Sequence, residues 1–454
     1  MHPFVLISFS LLLLLCLETT TSNQLVRDDD VVMIVMNKCL DKERHALLHF
    51  KSRLQVPFDT LSTWTAADDE CCTWEGVTCN NQTGRVTQLD ISRYNIGGEI
   101  SHSLLNLSYL NYLDLSYNPF NCSIPIFIGF MTELRYLDLS YNSFFGTIPP
   151  EFGNLTNLQW LYLGDVGSCR VENIEWLSHL SHLEALVLDG ISLAKQNYWT
   201  DVIFSLQKLS DLSLRGCELS QVMYPYSSFF NSSTSIHILL LGNNSLNSSM
   251  YHWLFPLISN KLRFLDLSSN MLDGIPKYLG NLCSLEYLSF DNNSVVVKFP
   301  DFLNNLSGCT SLTLQQLDAS GSQFIGSLSD EIHKFSSLTD LDLSKNQLSG
   351  TISEKLWELP RLEVLDVSFN SLRGSISENI GKSKLLSIDL SRNSLQGVPS
   401  LDHDHISNLS YLENIDLSYC KLGPRFPKWI QTLKNLTYLD ISNTKISDTI
   451  PVEF

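Results

Sequence analysis

From Leu89 onward, two apolar residues separated by one mostly polar residue recur along the chain, and a turn follows each pair. The clearest copies read Leu-Asp-Leu-Ser-x-Asn or nearly so, and they begin at Leu113, Leu137, Leu265, Leu341 and Leu365. Such alternation predicts a short strand whose leucines point inward while the residues between them point outward. A unit this small cannot close its own core, so it must bury its leucines on the next unit. The pattern therefore predicts a stacked array.

The spacing of these units is that of the leucine-rich repeat. The last position of the motif aligns at fifteen places: Tyr94, Asn118, Asn142, Val166, Ile191, Cys217, Asn244, Asn270, Asn293, Ser322, Asn346, Asn370, Asn393, Cys420 and Thr444. An Asn amide buried at a turn can satisfy backbone groups of adjacent turns and form a ladder. We predict that Cys217 and Cys420 are small buried thiols. The residues predicted to break the ladder are Tyr94, Val166, Ile191, Ser322 and Thr444.

Many repeats continue with a Gly-x-Ile-Pro segment or a near variant, as at 146–149, 350–353 and 374–377. These segments resemble the plant-specific class of leucine-rich repeats, in which they add a second short strand and twist the solenoid. The expected fold is an α/β leucine-rich-repeat solenoid, a curved right-handed superhelix. Its parallel β-sheet would line the concave face, with helical or 3-10 turns on the convex face. The stretch 164–256 departs most from the consensus.

The segment ahead of the repeats predicts a cap. A helix is expected from Asp41 to Leu54, between Cys39 and the cluster Cys71, Cys72 and Cys79. Terminal repeats need a cover for their exposed end, and four cysteines allow three connectivities or, alternatively, a zinc site. The block resembles the N-terminal cap of plant leucine-rich-repeat receptors, which implies disulfides Cys39–Cys71 and Cys72–Cys79. Further along, Cys283 and Cys309 lie in adjacent repeats and could also bridge.

The chain begins with an apolar run, Phe4 to Leu17, followed by small and polar residues. This predicts a signal peptide over residues 1–22, with an uncleaved anchor as the alternative. A poorly ordered leader would occupy residues 23–38, the cap 39–86, and about fifteen repeats 87–454. The chain stops at Phe454 inside a repeat, without a C-terminal cap or membrane helix. We interpret it as part of a longer form, with a genuine secreted short form as the alternative.

The composition of the chain limits the classes of molecule that it is expected to bind. The net charge is −18 and the pI is near 4.9, which argues against nucleic acid or an anionic membrane surface as the main partner. Eleven Asn-x-Ser/Thr sequons predict a secreted glycoprotein. They are Asn81, Asn106, Asn121, Asn154, Asn231, Asn243, Asn247, Asn292, Asn305, Asn408 and Asn435.

The outward residues of the predicted sheet are the candidate binding site, because a sheet of this kind is the usual binding surface of solenoids. Tyr112, Tyr136 and Trp160 form a column over three successive repeats, and Tyr162 follows; Tyr117 and Tyr141 flank the column. Stacked aromatic rings give contacts of low entropic cost. The alternative is that aromatic residues are simply frequent there, since Phe264, Tyr287 and Tyr438 occupy the same column. Because the sequence has no hydrolase, phosphate-loop or kinase motif, we expect no enzyme, catalytic residue, cofactor or metal.

Five further segments, 39–44, 177–180, 423–429, 439–442 and 446–450, resemble plant receptor-like proteins typified by the tomato receptors for fungal ethylene-inducing xylanase. The resemblance implies immune perception of a microbial protein or peptide elicitor at the plasma membrane. Signalling would use co-receptor kinases through regions absent here, including a missing C-terminal membrane helix. Two alternatives stay open: a secreted inhibitor of a microbial cell-wall-degrading enzyme, in the apoplast, and a developmental peptide receptor.

Overall fold

The computed structural model describes residues 39–219, 235–294, 296–397 and 409–449. The predicted signal peptide 1–22, the leader 23–38 and the sequons at Asn231 and Asn408 lie outside the described residues. Within the described residues, no helix is both long and apolar enough to cross a membrane.

One long sheet joins all the repeats. Its first strand, Val77–Cys79, runs antiparallel to the second, and the other neighbours in the sheet are parallel. The fifteen parallel strands, each of which precedes one of the aligned turns, are Val86–Asp90, Tyr112–Asp114, Tyr136–Asp138, Trp160–Tyr162, Ala185–Val187, Asp211–Ser213, Ile238–Leu240, Phe264–Asp266, Tyr287–Ser289, Gln316–Asp318, Asp340–Asp342, Val364–Asp366, Ser387–Asp389, Asn414–Asp416 and Tyr438–Asp440.

The leucines of these strands form one continuous core. Leu113, Leu137 and Leu161 stand in register on neighbouring strands and are fully buried. Each such leucine contributes roughly 1.5–3 kcal/mol when it leaves water, and it does so only because the next repeat covers it. The predicted leucine-rich-repeat solenoid is confirmed.

Short second strands follow the main strands in part of the array, as the Gly-x-Ile-Pro segments predicted. Phe145–Thr147 pairs with Ser168–Arg170. A five-stranded sheet contains Val297–Lys298, Phe324–Gly326, Gln347–Gly350, Ser371–Ser375 and Ser394–Gln396. Among the described residues between 171 and 296, one isolated bridge, between Asn247 and Met271, forms in this position, so the second strands are interrupted across much of the irregular stretch.

The side opposite the main sheet carries short helical turns. The 3-10 helices are Cys71–Thr73, His102–Asn106, Ile126–Phe130, Pro150–Asn154, Glu175–His179, Ser248–Met250, Lys277–Asn281, Asp330–Lys334, Glu354–Leu356, Glu378–Lys382, Leu409–Tyr411 and Lys428–Thr432. Short α-helices are found mainly in the middle of the array, at Trp199–Ser205, Tyr251–Leu257, Phe299–Leu306 and Thr310–Thr313.

The cap is built on the helix Asp41–Arg53, one residue shorter than predicted. Its buried Phe50 contacts Trp64, whose ring stacks on Trp74 at 5.6 Å. The Glu43 carboxylate accepts a 2.8 Å hydrogen bond from the N–H of Val86, which ties the cap to the first repeat.

Disulfides join Cys39 to Cys71 and Cys72 to Cys79, and a third joins Cys283 to Cys309. Because the four cap cysteines are bonded to one another, they are not available as thiolate ligands for zinc. The third disulfide links adjacent repeats.

The asparagine ladder forms, and its predicted break at Ser322 is wrong. The Ser322 hydroxyl donates to the carbonyl of Phe290 at 2.6 Å and accepts from the N–H of Asn293. The Thr444 hydroxyl donates to the carbonyl of Ile441 at 2.7 Å. A hydroxyl at this turn supplies one donor and one acceptor, so Ser322 replaces part of the Asn function. The Thr444 bond lies within its own repeat, so the break at Thr444 stays a prediction.

Candidate ligand-binding face

Tyr112 and Tyr136 form the centre of the candidate site. They occupy the same position on adjacent strands, and their rings stack with centroids 4.1 Å apart and planes 10° apart. Neighbouring strands lie about 4.8 Å apart, so a tyrosine repeated at one position must place ring on ring. The periodicity of the sequence therefore produces the stack directly.

Two further rings extend this surface. Trp160 stands opposite Tyr136 on the next strand, and Tyr162 lies 5.5 Å from Tyr136 with its ring tilted by 48°. All four residues are half-buried. We call Tyr112, Tyr136, Trp160 and Tyr162 the aromatic face.

Carboxylates line the aromatic face. The hydroxyls of Tyr112 and Tyr136 donate to Asp114 and Asp138, each at 3.4 Å. Burial, and then the charge of the adjacent Asp, raises the pKa of both tyrosines. Burial, with the neighbouring Asp114 charge, also raises the pKa of Asp138 to about 7. The phenols therefore stay protonated at neutral pH. Each donates its single O–H to the neighbouring Asp, and its oxygen can still accept a hydrogen bond from a ligand.

Tyr117 and Tyr141 belong to a different group. They lie at the turns rather than on the strands, with φ of 54° and 53°. Their rings stack at 4.2 Å, and the Arg93 guanidinium lies 4.6 Å from the centre of the Tyr117 ring. We call Arg93, Tyr117 and Tyr141 the turn stack. Its tyrosines are exposed, so it offers an accessible cation–π surface at the edge of the sheet.

A second stack of the same kind was missed from the sequence. Arg392 lies between Phe369 and Tyr419, 4.7 and 4.2 Å from the two ring centres. These three residues occupy the same turn position in successive repeats as Arg93 and Tyr117 do in theirs. A tabulation of that single position across the repeats would have found both stacks.

An ion pair between a half-buried arginine and a buried carboxylate divides the outward surface between the aromatic face and the Phe264–Tyr287 pair. Arg215 reaches across one intervening repeat to Asp266, with its Nη2 2.7 Å from the carboxylate. The intervening repeat carries Gly242, where an added Cβ would lie 3.1 Å from the Asp266 carboxylate. A larger residue there would displace the bridge.

The C-terminal part of the sheet carries a column of carboxylates. Each accepts a hydrogen bond from the N–H two residues further on, as Asp342 does from Ser344 and Asp366 from Ser368. The column consists of Asp318, Asp342, Asp366, Asp389, Asp416 and Asp440. The recurrent Asp therefore has a structural role in closing the turn.

The described sequons differ in how far their asparagines are exposed to solvent. Seven of them have exposed asparagines: Asn81, Asn121, Asn154, Asn243, Asn247, Asn292 and Asn435. Asn106 and Asn305 are half-buried. The Asn305 amide donates to the carbonyl of Ile275 at 2.7 Å, so the atom that would carry a glycan is already engaged.

Family comparisons agree with this architecture. The leucine rich repeat N-terminal domain matches residues 40–80, and a leucine-rich repeat region matches residues 221–449. Single leucine-rich repeats match residues 109–131 and 133–155.

Two similar relatives come from Solanum lycopersicum. Receptor-like protein EIX1 is 35% identical over 92% of this chain and 51% of its own length. Receptor-like protein EIX2 is 34% identical with the same coverage of both chains. The chain thus spans about half the length of these relatives.

Solved structures of similar fold include plant receptors. A TDR receptor superposes with a TM-score of 0.62 and 27% identity, over 83% of this chain and 67% of its own. The PEPR1-AtPEP1 structure gives a TM-score of 0.61 and 27% identity, over 89% and 55%. The peptide hormone receptor RGFR1 in complex with RGF2 gives 0.57 and 26%, over 82% and 68%.

Proposed function

Because this chain belongs to the plant leucine-rich-repeat receptor-like proteins, we propose that it is the extracellular ligand-recognition region of such a receptor. It binds a protein or peptide and catalyses no reaction. The observation that carries this proposal is the aromatic face, on which the rings of Tyr112 and Tyr136 stack on the open side of the sheet.

The chemistry of this face suits a polypeptide ligand. Half-buried tyrosines combine a large apolar area with a polar hydroxyl and lose little rotamer entropy on binding. Such rings are the residues that dominate protein interfaces. The neighbouring Asp114 and Asp138 would accept hydrogen bonds from the ligand backbone or from a basic side chain.

The proposed ligand is a microbial elicitor, and the proposed setting is plant immunity. The similarity to the two tomato receptor-like proteins over 92% of this chain supports this assignment. In the full-length form the region would face outward from the plasma membrane and signal through co-receptor kinases. A secreted enzyme inhibitor remains the alternative for a short apoplastic form.

A second candidate is recognition of an endogenous peptide. It is favoured by the similarity to a peptide hormone receptor in complex with its peptide. The two candidates share the binding surface and differ in the ligand, so one panel of a fungal xylanase, other secreted microbial proteins and plant peptides separates them.

The test is binding of the glycosylated chain to this panel, followed by substitution of the aromatic face. We expect Tyr112→Ala with Tyr136→Ala to raise the Kd of the ligand at least about tenfold, because two anchors are lost. Tyr438 occupies the same column in the last described repeat and is exposed, so Tyr438→Ala is the matched control. Absence of binding to every member of the panel, or an equal rise of the Kd in the Tyr438→Ala control, would contradict the proposal.

A further inference from the structure

A groove of about 1110 Å³ lies beside the cap, away from the aromatic face. One wall is a side of the helix Asp41–Arg53, and the other wall is formed by residues 99–106 and 122–127. No strand residue of the main sheet lines it. We call it the cap groove.

The helical wall carries a stripe of basic residues. Lys42, His45, His49 and Arg53 are three or four positions apart, which places them on one side of the helix. They are all exposed, whereas Phe50 on the other side is fully buried. Packing of the helix on the repeats therefore forces the stripe to face the groove. Lys42 and Arg53 are separated by about 16 Å along the helix axis.

Two hydrogen bonds hold the walls together. The Ser103 hydroxyl donates to the carbonyl of Ala46 at 2.9 Å. His49 Nδ1 lies 3.0 Å from the Ser101 hydroxyl. The groove is therefore a defined part of the fold.

The charge of the groove is opposite to that of the chain. The net charge of the chain is −18, yet the groove presents Lys42 and Arg53 against a single carboxylate, Glu99. Its other titratable groups are His45, His49, His102 and Cys122. Among the described residues, neither Lys42 nor Arg53 forms an ion pair. Two cations against one carboxylate leave this concave site with a net positive charge, which attracts an anionic ligand.

The walls indicate the class of anion. Ser101, Ser103, Asn106 and Ser123 line the groove and offer hydroxyl and amide groups. Neither wall contains a strand on whose edge an extended peptide could pair. The exposed His102 ring packs on the buried Phe127, with 4.7 Å between the ring centres and a tilt of 34°, so the His102 ring is an aromatic group that a sugar ring can contact.

We propose that the cap groove is a second binding site, for a linear acidic oligosaccharide built from uronic acids. The carboxylates of the sugar pair with Lys42 and Arg53, and its hydroxyls bind the opposite wall. Asn106 also begins a predicted sequon, and a glycan on it would compete for the groove. The site is independent of the aromatic face, so the two proposals can fail separately.

The experiment is calorimetric titration of the secreted chain, and of its Asn106→Gln form, with a hexamer of α-1,4-linked galacturonate. We expect saturable binding that weakens with salt. Lys42→Gln with Arg53→Gln should raise the Kd at least about tenfold, because two charge-assisted contacts are lost. Lys208→Gln with Lys261→Gln, two exposed cations elsewhere, should leave the Kd unchanged, as should Tyr136→Ala.

Three results would overturn the proposal. The first is absence of binding in the Asn106→Gln form. The second is equal binding by the methyl-esterified hexamer, which keeps the rings and lacks the charges. The third is equal or tighter binding by an oligo-aspartate of the same charge, which would make the groove a site for acidic peptides.

Discussion

Each ladder asparagine satisfies several backbone groups at once. The Asn346 amide donates to three carbonyls, including those of Ala319 and Leu343, and accepts from the N–H groups of Ser322 and Phe324. All of these groups lie where water has little access. One side chain therefore supplies the hydrogen-bond partners that water would otherwise provide to the backbone groups of that turn.

We predict that Asn346→Ala lowers the free energy of unfolding by about 3 kcal/mol, since several buried groups lose their partners. Native-state hydrogen exchange should show faster exchange at the amides of Ser322 and Phe324. Asn304→Ala, at an exposed helical position, is the control. Equal destabilisation by both changes would contradict a specific role of the ladder.

Cysteine fills the same position in two repeats. The thiols of Cys217 and Cys420 donate to the carbonyls of Leu188 and Leu390 at 3.2 and 3.3 Å. Burial raises the pKa of Cys217 to about 12 and that of Cys420 to about 11. Both are buried thiols, as predicted from the alignment, and the raised pKa disfavours the reactive thiolate form.

Glycan occupancy is a second prediction for single residues. Asn305 should be the least occupied of the described sequons, because its amide nitrogen bonds to Ile275 in the fold. The exposed Asn154 should be occupied. Enzymatic deglycosylation in heavy-oxygen water followed by peptide mass spectrometry measures both sites. High occupancy at Asn305 would show that the modification precedes formation of this hydrogen bond.

The turn after each strand is the element that repeats most strictly. In all fifteen repeats the residue ahead of the ladder position has a positive φ: Arg93, Tyr117, Tyr141, Asp165, Gly190, Gly216, Asn243, Ser269, Asn292, Gly321, Lys345, Phe369, Arg392, Tyr419 and Asn443. Most are not glycine and bear the cost of a left-handed residue. The hydrogen bonds of the asparagine ladder offset that cost. The side chains of the non-glycine residues point to the edge of the sheet that carries both cation–π stacks.

Gly321→Ala tests this element. Gly321 has a φ of 59°, and an added Cβ would lie 2.8 Å from the Asn292 side-chain oxygen. We expect a loss of stability of about 1–2 kcal/mol from the conformation and the contact together. Gly397 has a φ of 68° with open space around it, so Gly397→Ala isolates the conformational cost in the same denaturation experiment. A larger loss at Gly397 would be inconsistent with the contact.

At the scale of the whole molecule, the repeat places like charges in one row. Burial, and then the charge of Asp342, raises the pKa of Asp366 to about 6. Burial, and then Asp291 and Asp342, raises the pKa of Asp318 to about 7. In the window between the ordinary carboxyl pKa and these values, the folded chain holds more protons than the unfolded chain. Stability therefore falls as the pH rises through this window.

We predict that Asp366→Asn raises the free energy of unfolding near neutral pH by about 1 kcal/mol, after allowance for solvent screening. The amide oxygen can still accept from the N–H of Ser368, as the carboxylate does at 2.8 Å. The slope of stability against pH should also flatten. Glu133→Gln, at an exposed position outside the column, should change neither quantity. An unchanged slope in Asp366→Asn would contradict the proposed repulsion.

Several features were predictable because the repeat fixes them. The fifteen strands, their register and the Tyr112–Tyr136 stack follow from leucines and tyrosines recurring at constant spacing. The cap helix followed from its apolar periodicity. These features depend on neighbours in sequence or on the same position in the next repeat, which a linear pattern contains.

The remaining features depend on contacts between residues that are neither close in sequence nor at the same position of adjacent repeats. Arg215 bonds to Asp266 over an intervening repeat, and no local pattern indicates that reach. The cap groove exists only because the stripe from Lys42 to Arg53 packs opposite residues 99–106 and 122–127. By itself, the sequence determined the array and the rows of side chains along it. Tertiary structure alone decided which charges and rings meet across those rows, because their separation in space depends on how distant segments pack.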